Sequence, residues 1–191
     1  MGHVDRKYQI VEAGIGGPPK GSPVLADRNG NPLPSDQLLI FNKNADKMRK
    51  VDHYRIRFDI RGFGSSPLRF TPNLDDALWV KKGTGPGNCP TSAIHDMSDV
   101  IWIDDMDSNG EWIDVINMDM KVEEFWFTLN LVDKSNPTST NYVPVDPGGG
   151  NQNGGFAGST LGGATTLATI SLGIGAGLVA FFGAKLLLNG Q

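Results

Sequence analysis

The residues whose types and spacing best suit chemistry are Asp105, Asp107 and Asn109, set in the run Asp-Met-Asp-Ser-Asn-Gly that Gly110 closes. Hard cations need several oxygens converging on one point, and alternate Asp/Asn positions before a turn-making Gly can supply them. The match to a calcium loop covers only its first half. Counting from Asp105, the twelfth position is Ile116, where an EF-hand carries a bidentate Glu, and the flanks are patterned as strands. The same residues make a β-hairpin turn, since Asn-Gly favours the positive-φ backbone that would join residues 100–103 to 112–116. No cofactor is expected beyond a calcium ion at Asp105, Asp107 and Asn109, and the turn is the plainer reading.

Other candidate chemistry fails on spacing. Cys89 is the only cysteine, so a nucleophilic role needs His53 or His95 beside it, and no local signature surrounds Cys89-Pro90. Three scattered histidines and one cysteine form no zinc pattern. The Gly-rich runs at 14–21 and 83–87 lead into prolines where a phosphate loop opens a helix. In the segment Tyr54 to Arg61, aromatics and arginines alternate onto opposite faces, whereas single-strand binding wants them together, so no nucleic acid is expected. An enzyme is not expected, because no acid/base, nucleophile or metal constellation is complete.

The elements that would position these residues are strands. Tyr54, Ile56, Phe58 and Ile60 alternate with Arg55, Arg57, Asp59 and Arg61; Phe125, Phe127, Leu129 and Leu131 alternate with Trp126, Thr128, Asn130 and Val132. Shorter candidates are 37–41, 68–70, 77–80, 100–103 and 112–116. Seven strands separated by Gly, Pro, Asn and Asp clusters predict an all-β fold, an antiparallel β-sandwich over residues 37–133. Residues 1–36 are expected to be an extended Gly/Pro-rich arm, and residues 134–163 a Gly-rich tether.

Charge is unevenly distributed within a formal net of −4. Basic residues prevail from Lys43 to Lys82 and acidic ones from Asp96 to Lys134. Such a split either orients the domain over a charged surface or is neutralised across paired strands.

The segment from Leu167 to Leu188 is apolar except for Lys185, and it supplies the roughly 20 helical residues that cross a hydrocarbon core of about 30 Å. A single C-terminal transmembrane helix is therefore expected over residues 164–188. Gly173 with Gly177, and Ala176 with Ala180 and Ala184, recur at the four-residue spacing that lets membrane helices pack closely, so integral membrane protein neighbours are expected there. No signal peptide or myristoylation pattern is expected at the start, where Arg6 stands in place of Ser or Thr, and with one cysteine this favours a cytoplasmic domain. These features together predict a tail-anchored, single-pass, non-catalytic accessory subunit of a membrane complex, respiratory or photosynthetic hosts being plausible. Its sandwich and arm would meet subunits on the aqueous face. The alternatives are a membrane-tethered calcium- or ligand-binding module and a viral or phage membrane-associated structural protein.

Overall fold

In the computed structural model the described residues are 2–13, 22–34, 37–61, 68–85, 89–120 and 122–152. They contain β1 (His3–Glu12), β2 (Pro23–Ala26), β3 (Leu38–Phe41), β4 (His53–Ile60), β5 (Leu68–Phe70), α1 (Leu74–Ala77), β6 (Leu78–Lys82), β7 (Ile101–Met106), β8 (Trp112–Asn117), β9 (Glu123–Asp133), β10 (Val143–Val145) and β11 (Gly148–Asn151). The fold is β-rich with almost no helix, as the strand patterning predicts.

The first sheet runs β2-β1-β4-β8-β7, antiparallel except for β1 beside β4, which are parallel. The second is built on β9. Along one side of β9 lie β6 and β5; along the other lie β11 and β10, with β3 beyond β11 and parallel to it. Within residues 37–133 lie seven strands, β3 to β9, at the expected places; β1, β2, β10 and β11 bring the described residues to eleven strands, and the two parallel pairs each include one of these added strands.

Period-two burial drives the layering. Tyr54, Ile56 and Phe58 of β4 point into the core, where they join Ile113 and Val115 of β8 and Phe125, Phe127, Leu129 and Leu131 of β9. Aromatic rings connect the sheets: Phe41 lies 5.1 Å from Tyr54 and 6.4 Å from Phe125, and Phe58 lies 5.9 Å from Phe127. Both faces of β9 are buried, because Trp126, Thr128, Asn130 and Val132 are covered as well. Asn130 Nδ2 donates to the Asp76 carbonyl at 2.7 Å, and Thr128 Oγ1 donates to the Pro90 carbonyl at 2.8 Å, so the covering segments accept the donors of these two buried side chains.

Two segments differ from the sequence expectation. Residues 3–12, expected within an arm, form the ten-residue β1, which contributes Ile10 to the core and packs Val4 and Tyr8 against it. Residues 143–145 and 148–151, expected within a tether, form β10 and β11. Glycine is a poor strand former, but here it makes room for neighbours. A Cβ on Gly148 would stand 2.5 Å from Leu38 Cδ2 and 3.0 Å from the Trp126 ring, and one on Gly149 would run into the Phe125 ring. Large side chains on β3 and β9 fill the space that β11 leaves.

Among the described residues, no helix is long and apolar enough to cross a membrane. The helix expected over residues 164–188 lies outside the described residues, as do Gly173, Ala176, Gly177, Ala180 and Ala184.

Candidate functional site

Asp105, Asp107 and Asn109 lie along the β7–β8 hairpin. Asp107 organises the turn: its carboxylate accepts the Asn109 N–H at 2.8 Å and the Glu111 N–H at 3.3 Å, while its carbonyl accepts the Gly110 N–H at 2.8 Å. Gly110 has φ +68°, and a Cβ there would sit 2.9 Å from the Phe70 carbonyl, so the turn needs glycine on two grounds. Asp105 stands on β7 at a register shift beside Ile103 and accepts the Met106 N–H at 2.9 Å. The turn therefore brings Asp107 and the Asn109 backbone together, with Asp105 on the preceding strand. Among the described residues no three His, Cys, Asp or Glu side chains gather in an arrangement that would hold a metal ion.

A second cluster was not singled out from sequence. Where β3, β4, β8 and β11 end together, polar side chains are buried between the sheets. Lys43, 4% exposed, donates from Nζ to the Met118 carbonyl at 2.5 Å and to the Lys50 carbonyl at 3.0 Å. Burial lowers its pKa, with Asp119 and Asp52 opposing that shift. Asn117 of β8 and Asn151 of β11 exchange side-chain hydrogen bonds of 2.7 and 3.2 Å, tying one sheet to the other. Asn117 Oδ1 also accepts the Asp119 N–H at 2.8 Å, and Asp119 is buried with φ 42°, a conformation that costs energy unless its surroundings enforce it. Beside this joint, Asp46 accepts the Tyr54 hydroxyl at 2.7 Å and Arg6 Nη2 at 2.6 Å. Burial, then the bond to Asp46, push the Tyr54 phenol well above its ordinary pKa, so it stays a donor. The sequence signal was faint: Asn117 and Asp119 interrupt an apolar run at residues where a strand reading simply stops.

The third cluster lies on the outer face of the first sheet. Asp114, 1% exposed, accepts Arg55 Nε at 3.0 Å and Nη2 at 2.5 Å, and Arg57 Nε and Nη2 at 2.7 Å each. Burial alone would raise the Asp114 pKa, but the two guanidiniums outweigh it and the net shift is downward. Arg57 also stacks over Trp112, 4.0 Å from the ring centroid. Lys7 reaches Asp59 at 2.9 Å in the same sheet, and in the second sheet Lys82 reaches Glu123 at 3.4 Å. The basic stretch and the acidic stretch of the sequence thus meet across paired strands.

Cys89 lies apart from these clusters, with Sγ 3.8 Å from the Asp146 carbonyl. Burial, and secondly Asp146, push its pKa up to about 11, which keeps the sulfur a thiol and a weak nucleophile at neutral pH. His53 stacks on His3 at 5.7 Å, the two facing each other across parallel β1 and β4.

Compared with protein-family models and with curated proteins, the chain matches none.

Proposed function

We propose that this protein is a non-catalytic structural subunit whose β-sandwich presents a rigid surface to other proteins and whose apolar C-terminal segment places it at a membrane. One observation carries the non-catalytic part: the groups best suited to chemistry are already committed to holding the fold. Lys43 donates to two backbone carbonyls, both oxygens of Asp114 are filled by Arg55 and Arg57, and Asp107 is bound into its own turn. A general base or nucleophile needs a lone pair or proton free to reach substrate, and these groups present neither.

The membrane part rests on composition. Residues 167–188 carry one charge, Lys185, over a length that suits a single span, and small residues at Gly173 and Gly177 suit close packing with neighbouring helices. In this reading the protein is an accessory subunit of a membrane complex, with its domain on the cytoplasmic side.

The test compares the full chain with a chain ending at Gln152 in isolated membranes. The full chain is expected to stay in the pellet through alkaline carbonate and to comigrate with a larger complex after mild detergent extraction; the shortened chain is expected in the supernatant. Release of the full chain by carbonate would overturn the membrane part, and migration alone would overturn the subunit part. Asp107→Ala serves as control for calcium: the turn reading predicts a loss of about 1 kcal/mol that added calcium does not change.

A further inference from the structure

The sheet margins are treated unequally. β2 is four residues long and opens on Pro23; β7 carries a bulge beside Ile103 and presents Asp104 and Asp105; β10 carries Pro144. The β6 margin is covered, since Val80 donates to the Ile94 carbonyl at 2.7 Å and accepts the Asp96 N–H at 3.0 Å. Short length, proline, bulges, charge and cover are the devices that keep an edge strand from pairing with another chain.

β3 is as short as β2 but, among the described residues, has no proline, bulge, charge or cover. It reads Leu38-Leu39-Ile40-Phe41, with neutral Gln37 and Asn42 at its ends, and among the described residues it pairs only with β11. The Gln152 N–H donates to the Phe41 carbonyl at 2.9 Å, so Phe41 and, two residues back, Leu39 turn their peptide groups towards β11. By the alternation of a strand, Leu38 and Ile40 turn theirs to the open side. The Ile40 side chain is 41% exposed on the outer face.

We propose that β3 is a self-association edge, at which two copies of this chain pair their β3 strands antiparallel about a twofold axis through Ile40. Geometry and charge both favour a second copy. A twofold normal to the sheet keeps outer faces outer, and an axis at Ile40 sets Ile40 against Ile40, Leu39 against Phe41 and Leu38 against Asn42 of the other copy. That register makes Ile40 a hydrogen-bonded pair, which uses the peptide groups that point to the open side. Antiparallel self-pairing opposes residues 38–42 to themselves, a run without charge, so identical strands meet with no like-charge pair. A strand of this length buries far less than the roughly 1,200 Å² of a stable interface, so the dimer is a weak one that forms as concentration rises. This inference is independent of the proposed function.

The test uses the full chain in mild detergent, with light scattering over a concentration series. Dimer formation is expected, and Ile40→Lys is expected to weaken it more than about tenfold by opposing two charges across the axis. Ile40→Thr, which keeps strand propensity, gives a smaller loss with an unchanged circular dichroism spectrum and guards against misfolding of the lysine variant. In a Cys89→Ser background, Ile40→Cys should form an intermolecular disulfide, because hydrogen-bonded antiparallel pairs place Cα atoms about 5.5 Å apart, within disulfide reach. Trp102→Cys on β7 should not. A chain monomeric throughout, a dimer indifferent to Ile40→Lys that Ile40→Cys does not capture, or equal crosslinking at Trp102 would each overturn the proposal.

Discussion

β4 and β11 lie in different sheets of the same molecule and become strands for opposite reasons. β4 carries its own instruction: Tyr54, Ile56 and Phe58 fill the core while Arg55 and Arg57 reach Asp114 on the other face. β11, which reads Gly-Gly-Gly-Asn, has almost nothing to bury, and its position is set by Phe125, Trp126 and Leu38 occupying the room its missing side chains leave. Strand formation is therefore a property of the neighbourhood, and side-chain volume removed from one strand can be required by the next.

The contrast predicts opposite responses to volume. Phe58→Ala empties a core position that is 1% exposed and should cost about 3–5 kcal/mol, read as a fall in the urea midpoint at constant slope. Gly149→Ala adds one methyl and should still cost about 1–3 kcal/mol, because the new atom meets the Phe125 ring. Phe125→Leu, destabilising alone, should recover part of that loss in the double variant. A double variant that merely sums the two losses would mean that the ring is not what holds β11 to glycine.

This contrast also explains how much was legible in the sequence. The strands that bury their own side chains, β4, β5, β8 and most of β9, stand close to where alternation puts them. β1 was obscured because Arg6, on the inward-facing series with Val4 and Tyr8, breaks the apolar pattern; in the fold its charge is met by Asp46 at 2.6 Å. β11 carries no periodic signal at all, and composition pointed to a tether. The Lys43, Asn117 and Asn151 joint was invisible for a related reason: its hydrogen-bonded partners lie 75 residues apart for Lys43 and Met118 and 34 for Asn117 and Asn151, and only the pairing of two sheets brings them together. The Asp107 turn was legible because everything it needs lies within five residues.

The polar face of β4 sharpens the comparison further, since β11 has no counterpart to it. Asp114→Asn leaves two guanidiniums facing a neutral amide. Because Arg55 and Arg57 remain about a third exposed, water screens part of the loss, and about 1–2 kcal/mol is expected rather than the larger cost of a fully buried pair. The pH dependence has a definite sign. The folded-state pKa of Asp114 is lowered, so its contribution is complete above the ordinary carboxylate range near pH 4 and disappears as pH falls through the lower folded value. Acid unfolding curves of wild type and Asp114→Asn should accordingly converge below pH 4. Curves that stayed parallel would assign the loss to packing instead of charge.

The smallest effect is expected where β4 begins. His53 faces His3 across the parallel pair, and its pKa is lowered, chiefly by burial and next by His3, while Asp104 and Asp52 oppose the shift and Lys43 adds to it. A histidine held neutral in the fold binds its proton more readily in the unfolded chain. Its contribution is therefore complete above the ordinary histidine value near 6.5 and declines as pH falls towards the folded value. Between pH 7.5 and 5.5 wild type should lose stability by less than any of the substitutions above, and His53→Gln should flatten that slope while leaving the acid limb governed by Asp114 in place. Asp146, whose pKa burial raises, gains stability as pH falls and so acts with the opposite sign to this slope. If His53→Gln left it unchanged, the start of β4 would be held by its backbone pairing with β1 and by the Asp52 bonds to the Gly2 N–H at 2.6 Å and to Arg49, and proton binding at the histidine pair would play no part in anchoring β1.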